Sequence, residues 1–313
     1  MKGIDGLLAL LAVTVVAGVA ALLIGPVPSA SWAIIWEIRL PRVLLAVLVG
    51  FGLAGAGAVL QGVLRNPLAD PFILGTSSAA AAGVMVAGVL GLRHYSALYF
   101  MSLGFAVLSI FVVYRIARVN GKTPIQTIIL AGVIVSLFFN AAVFVFFSVF
   151  YRESFTVLFY LLGTLTEGDP ALIAISGTII LTGLGLTWLL SRELNVLTQG
   201  EDTAFHLGLE VETAKKILFV TASAMVAGAV SVAGMIGFVG LIVPHMMRMI
   251  VGPDHRLLIP ASALGGAIFL ILTDALARTL VAPLEIPVGA LTALVGSPYF
   301  VYLLRRKQRV GEF

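Results

Sequence analysis

About ten apolar stretches, each near the roughly 20 residues that carry a helix across a bilayer, recur along this chain between short polar connections. Hydrocarbon offers no water to backbone amides, so such stretches fold as helices whose hydrogen bonds close within each segment. The Lys and Arg distribution then orients them, because cytoplasmic connections carry the excess of positive charge. With a cytoplasmic N-terminus, the inner side receives Lys2, Arg65, Arg115, Arg118, Lys122, Arg192, Lys215, Lys216, Arg248, Arg256, Arg305, Arg306, Lys307 and Arg309. The outer side receives only Arg39, Arg42, Arg93, Arg152 and Arg278. The expected fold is all-α and polytopic, with about ten transmembrane helices and both termini in the cytoplasm. The outer arginines then need a reason of their own.

Ten spans use about 200 residues and leave room only for connections. Residues 1–313 therefore read as a single transmembrane domain, in keeping with 60% hydrophobic and 11% charged residues. The sequence pI near 9.5 reflects basic residues flanking apolar segments, not a soluble patch for nucleic acid. The absence of cysteine excludes disulfides, thiolate metal sites and cysteine catalysis. Leu7 to Ile24 follows Lys2 as the core of a signal peptide would, but it is long enough to span and no Ala-x-Ala site ends it. It reads as a retained first helix.

The expected segments run as follows. The first, Gly6 to Ile24, is stopped by Gly25, Pro26 and Pro28, and Trp32 and Trp36 follow at an interfacial position. The second runs from Pro41 to Leu64, and its Gly50, Gly52, Gly55 and Gly57 let neighbours approach closely, which places it centrally. The next are Phe72 to Leu90, Ser96 to Ile116 and Pro124 to Phe150, then a short non-spanning outer helix within Glu153 to Gly168, then Pro170 to Leu190. After the long polar stretch Ser191 to Lys216 come Ile217 to Val232, the Gly234-to-Gly240 turn, a helix carrying Pro244, Pro260 to Ala277, and Val288 to Leu304.

No enzyme signature stands out. His94, His206, His245 and His255 lack metal-ligand spacing, and there is no phosphate-binding Walker loop. Asp274 and Arg278 stand four apart on one helix face, either as a neutralising pair or as a functional intramembrane charge, with Arg278 expected in an exposed outer role. Arg39 and Arg42 flank Leu40-Pro41 at the outer mouth of the second helix, where they either snorkel to headgroups or meet a carboxylate-bearing partner. Ser136, Asn140 and Ser148 share one line on the fifth helix, as a pathway lining or as interhelical hydrogen bonds. The segment Gly200 to Gly208 reads as a short surface helix ended by glycine, whose Ala204, Phe205 and Leu207 could dock into a groove on another protein.

Several segments, in order, resemble one family. They are Arg39-Leu40-Pro41-Arg42, Gly55 to Gln61, Asn66-Pro67-Leu68-Ala69-Asp70-Pro71, Leu130-Ala131-Gly132-Val133, Ala204 to Gly208, Gly237-Phe238-Val239-Gly240-Leu241-Ile242-Val243-Pro244-His245, Asp254-His255-Arg256 and Pro287-Val288-Gly289. The chain is similar to the binding-protein-dependent ABC importer permeases for iron chelates, haem and cobalamin. The resemblance implies a homodimer of ten-helix subunits in a prokaryotic cytoplasmic membrane, with its pathway on the twofold axis. It implies two cytoplasmic ATPase subunits that bind ATP and magnesium, and an extracytoplasmic substrate-binding protein; this chain would bind no cofactor itself. Arg39, Arg42 and Arg278 match arginines that receive carboxylates of the binding protein. Glu201, Asp202, Thr203, Ala204, Leu207 and Gly208 fall in the segment that couples to the ATPase. The gate would lie near Thr123, Pro124 and Ile125, where Pro124 departs from the usual pattern. An ion-gradient-driven secondary transporter is the alternative class; it would want a buried ionisable relay, for which Asp274 is the candidate. A membrane-embedded enzyme lacks a catalytic cluster.

Overall fold

The computed structural model describes residues 3–25, 31–150, 154–165 and 169–310. Pro26, Pro28, Lys2 and Arg152, and the ends of the expected Glu153-to-Gly168 segment, lie outside them. The described chain is helical: α1 Ile4–Leu23, α2 Leu40–Val63, α3 Thr76–Val89, α4 Tyr95–Ala117, α5 Ile125–Val149, α6 Ser154–Leu162, α7 Pro170–Leu189, α8 Ser191–Thr198, α9 Glu201–His206, α10 Val211–Ala233, α11 Val239–Val251, α12 His255–Thr279 and α13 Val288–Val310. A π-helical turn, Ile34–Arg39, runs directly into α2, and a 3-10 turn, Pro71–Leu74, precedes α3.

Every apolar stretch expected to span is helical, but the helices are of two kinds. Among the described residues, seven are long and apolar enough to cross a membrane: α1, α2 with its π-turn, α4, α5, α7, α10 and α12. The others, α3, α11 and the apolar part of α13, are shorter. The 14 residues of α3 reach only about 21 Å, against a hydrocarbon core of about 30 Å. Gly75 explains the shortfall, because its left-handed backbone (φ 77°) separates the 3-10 turn from α3. Phe72 therefore sits in a turn, not in the expected long third helix.

The central element is α2. It packs against α12, α10, α11 and α7, and 78% of its apolar window is buried. Glycines allow this. At the crossing with α12, a Cβ on Gly50 would fall about 2.5 Å from the backbone of Ala267, and Gly57 is pressed against the backbone of Gly240 in the same way. A side chain at either position would push the helices apart and forfeit the packing that holds membrane helices together. Buried hydroxyls tie the rest: Tyr160 of α6 donates to Val230 O (2.8 Å) and bonds Ser102 of α4 (2.6 Å), and Tyr99 meets Ser176 of α7 (2.9 Å).

Two prolines inside helices are answered by side chains. Pro260 leaves the Arg256 carbonyl without its usual donor, and Trp188 Nε1 of α7 donates to it at 3.0 Å. Pro244 likewise leaves the Gly240 carbonyl without its usual donor, and Gln61 Nε2 of α2 is shared between Gly240 O at 3.5 Å and Leu241 O at 3.2 Å. Gln61 Oε1 in turn accepts from Arg248. α12 begins at His255, five residues before the expected Pro260, because Asp254 caps it by accepting from Arg256 N at 3.0 Å. α10 begins at Val211, six residues before the expected Ile217, because its polar first turn is satisfied within the fold as described below.

Candidate functional site: two charged ends of the helix bundle

Arg39, Arg42 and Arg278, expected on one side of the membrane, meet at one end of the bundle. At the end expected to be outer, Arg42 Nε donates to Asp274 Oδ1 at 2.8 Å and its NH1 to Glu285 at 2.8 Å. Arg278 Nε lies 3.0 Å from Asp274 Oδ2, its i,i+4 partner on α12. Asp274 is 1% exposed, with one oxygen facing each guanidinium. This cluster ties α2 to α12 and to the loop before α13.

Arg39 and Arg278 also finish α1. The last carbonyls of a helix lack internal donors and carry partial negative charge. Arg39 NH1 donates to Leu22 O (2.9 Å) and Leu23 O (3.2 Å), and Arg278 NH2 donates to Ala21 O (3.3 Å). The expectation of an exposed Arg278, and of Arg39 and Arg42 presented at an open mouth, is thereby corrected. All three are buried, at 3%, 4% and 7% exposure. The physical reason is that an apolar bundle end supplies few donors, so guanidiniums from neighbouring helices turn inward to satisfy it. Arg93 is exposed.

At the opposite end, the polar stretch Ser191–Lys216 holds the expected short helix, here α9, and is helical on either side of it as α8 and the start of α10. α8 lies against α2 and α12. Its Asn195 donates to Asp254 (2.7 Å) and accepts from His255 N (3.0 Å), which fastens it to the start of α12. The Asp254 carboxyl is held below its usual range: partial burial opposes ionisation, but hydrogen bonds from Arg256 N and Asn195 and the nearby Arg256 charge outweigh it. α9 follows, ended by Gly208 at φ 82° with Leu209 N donating back to Ala204 O. Phe205 and Leu207 project outward at 71% and 69% exposure. Ala204 is 0% exposed, so its expected place among the surface contacts is corrected: it is the inward face that seats α9.

Lys215 of α10 joins this piece to α5. Its Nζ lies 2.7 Å from Glu212 and 3.1 Å from Glu201 of α9, and donates to Thr123 O at 2.9 Å. Glu212 also accepts from Thr123 N (2.9 Å) and Oγ1 (2.6 Å). Thr123 precedes α5 in the tight α4–α5 turn, where Val119 and Lys122 pair and Gly121 takes φ 82°. Thr123 and Ile125, expected as gate residues, are packed at 1% and 8% exposure, and Pro124 sets the extended N-cap of α5. The coupling and gate segments, named separately from sequence, are thus bonded to each other. Sequence reading had counted Lys215 only as an inner charge and missed Glu212 and Glu285. The signal for the first two was present in the i,i+3 spacing of Glu212 and Lys215. Nothing in the sequence signalled Glu285.

On α5, Ser136 is half-buried and donates to Gly132 O at 2.8 Å, while Asn140 and Ser148 are exposed, and Ser148 donates to Phe144 O. Asn140 stands among exposed Leu137, Phe138 and Phe144. Among the described residues, no group of three His, Asp or Glu side chains is placed to hold a metal ion.

The model of the FecCD transport family matches residues 6–306. The chain is 43% identical over 282 residues to the cobalamin import system permease protein BtuC of Halobacterium salinarum, covering 90% of this chain and 76% of that one. It is 41% identical over 291 residues to the hemin transport system permease protein HmuU of Yersinia pestis, covering 90% and 87%. This chain belongs to the FecCD transport family. A solved structure described as an inward-facing metal-chelate type ABC transporter superposes with a TM-score of 0.87 at 32% identity, over 96% of this chain and 98% of that one. The FecCD match covers both charged ends and every helix between them. These relatives are transport permeases, and nothing in the match points to an enzyme.

Proposed function

We propose that this chain is the membrane-spanning permease subunit of an ATP-driven importer for a metal chelate, haem, a ferric siderophore or cobalamin. Support for the class comes from the family match over residues 6–306 and from relatives named for cobalamin, hemin and iron(3+)-hydroxamate import. In this reading, ten helices cross a prokaryotic cytoplasmic membrane with both termini inside, the three short helices completing their crossings within protein. Two copies form the pathway. Exposed Asn140 on the otherwise apolar face of α5 favours that arrangement, since a carboxamide facing lipid is costly and one facing a polar pathway is not. Thr123, Pro124, Ile125, Ser136 and Asn140 would line or gate it.

Two cytoplasmic ATPase subunits, which hold the ATP and magnesium, would seat on α9 through Phe205 and Leu207, with Glu201, Asp202, Thr203 and Gly208 around them. A soluble delivery protein would dock at the opposite end, over Arg39, Arg42 and Arg278. Its carboxylates would have to exchange with Glu285 there, because the guanidiniums are already engaged.

The observation that separates this reading from a gradient-driven carrier is the state of Asp274. A proton or sodium relay needs a carboxylate free to change partners within the membrane. Asp274 is fixed by Arg42 on one oxygen and Arg278 on the other. The test is reconstitution in proteoliposomes with the cognate ATPase and delivery protein, assaying haemin, a ferric hydroxamate and cobalamin. Uptake of one of them should require ATP and both partners. Uptake that follows an imposed ion gradient without the ATPase would overturn the reading.

A further inference from the structure

We propose that Lys215 is the transmission point between the ATPase-facing helix α9 and the N-terminus of α5, acting as a positioning residue that makes the two move as one body. The inference rests on the ATPase reading of α9 given above. Lys215 is 2% exposed and belongs to neither of the elements it joins. Its single ammonium is shared by Glu201 of α9, Glu212 one turn earlier on α10, and the Thr123 carbonyl that precedes α5. A buried ammonium is retained only where acceptors compensate its lost hydration. Here all three donor sites have an acceptor, and each acceptor belongs to a different segment.

The geometry directs displacement. α9 is six residues long and makes few other contacts with the bundle, chiefly Ala204 against its neighbours and the α8 junction. Without Lys215, Glu201 and Glu212 would face each other as like charges, and nothing shown would hold α9 to the α4–α5 turn. With it, a push on the exposed face of α9 travels through Glu201 and Lys215 to Thr123. From there it reaches the first turn of α5, the helix that carries Ser136 and Asn140. Glu212 holds Thr123 from its other side through both N–H and hydroxyl, so the turn has little freedom to lag.

The test compares the parent with Lys215→Met and Glu201→Gln, each in the full transporter with its ATPase and delivery protein in proteoliposomes. The probe is whichever of haemin, ferric hydroxamate and cobalamin the parent takes up. Lys215→Met should still assemble with the ATPase and hydrolyse ATP, and Glu201→Gln, which lies at the ATPase seat, is read per assembled complex. The number of ATP consumed per molecule imported should rise about tenfold, a size usual for a lost coupling between sites. Because the chain has no cysteine, spin labels at His206→Cys and Lys122→Cys report the α9-to-turn distance directly. That distance should be single and nucleotide-independent in the parent and should broaden on ATP binding in either variant. Glu201→Gln, partly solvent-exposed, guards against a Lys215→Met chain that does not fold. An active parent with variants of unchanged ATP-to-uptake ratio and unchanged label distance overturns the relay alone. A parent that shows no ATP-driven uptake overturns the importer reading and the relay with it.

Discussion

The two charged ends of this bundle are built from similar residues and differ in what they hold. At the end expected to be outer, Arg42 and Arg278 share Asp274 at 7%, 3% and 1% exposure, and the helices they join, α2 and α12, already touch backbone to backbone at Gly50 and Gly266. At the opposite end, expected to be inner, Lys215 is buried to a similar degree, but its carboxylates are about one-third exposed, and one of them sits on a small surface helix. Asp274, dry between two buried guanidiniums, has no alternative to those partners, and at that end only the second contact of Arg42, to Glu285 at 35% exposure, reaches water. A charge whose partners face water can exchange them as the structure moves. The outer cluster is therefore a clamp on a fixed crossing, and the inner cluster is a joint.

The comparison breaks first at Asp274. Replacing it by alanine leaves buried Arg278 without its carboxylate and Arg42 with Glu285 alone, and removing one partner of a buried ion pair costs about 3–5 kcal/mol. Asp274→Ala should therefore unfold many degrees below the parent in detergent, followed by tryptophan fluorescence. Glu201→Ala, at the joint, should lose no more than about 1 kcal/mol, because the exposed side of that pair is solvated either way. Equal destabilisation by the two changes would erase the distinction between clamp and joint.

Much of this was readable in the sequence, and the failures share a cause. Apolar length locates the long apolar helices, because hydrocarbon leaves the backbone no alternative. The glycines of α2 announce its central position, because only close backbone approach uses them. Arg39, Arg42 and Arg278, grouped together by the Lys/Arg bias, do meet at one end of the bundle, but that bias says nothing of whether a charge turns inward, so the exposed role expected of Arg278 does not follow from it. The carbonyls at the end of α1 and the carboxylate of Asp274 decide that, and neither is visible in linear spacing: Arg42 and Asp274 are 232 positions apart. The start of α10 was misplaced for the same reason. A polar turn reads as loop until its partners, here Glu201 and Thr123, are brought to it by the fold.

A smaller effect tests whether α8 belongs with the clamp or the joint. Asp254 caps α12 and holds Asn195 of α8, so Asp254→Ala should cost about 1 kcal/mol, as lost helix caps do. Its carboxyl is depressed in the folded state. The sign follows: the contribution is complete above the ordinary carboxylate value and disappears as pH falls through the lower folded value. The stability gap between parent and Asp254→Ala should therefore close on acidification. A gap that stays constant with pH would mean that the carboxylate charge plays no part in the cap.

The smallest expected change in stability carries the sharpest test of docking. Glu285 lies in the loop before α13, is 35% exposed, and accepts from the NH1 of Arg42 while Asp274 holds Nε. It stands where a carboxylate from a delivery protein would have to arrive, so it competes with that carboxylate for the outer edge of the guanidinium. Glu285→Gln keeps the acceptor oxygen and removes the charge, and a pair this exposed is worth about 0–1 kcal/mol. Folding should therefore be nearly unchanged. Removing the competitor should tighten docking by up to about fivefold, the equivalent of that same energy, and more visibly at low ionic strength. Binding of the delivery protein to nanodisc-embedded parent and variant, measured across a salt series, reads this directly. If Glu285→Gln leaves the affinity unchanged or weakens it, Arg42 does not exchange partners, the outer cluster is a clamp only, and the delivery protein holds this subunit through other groups.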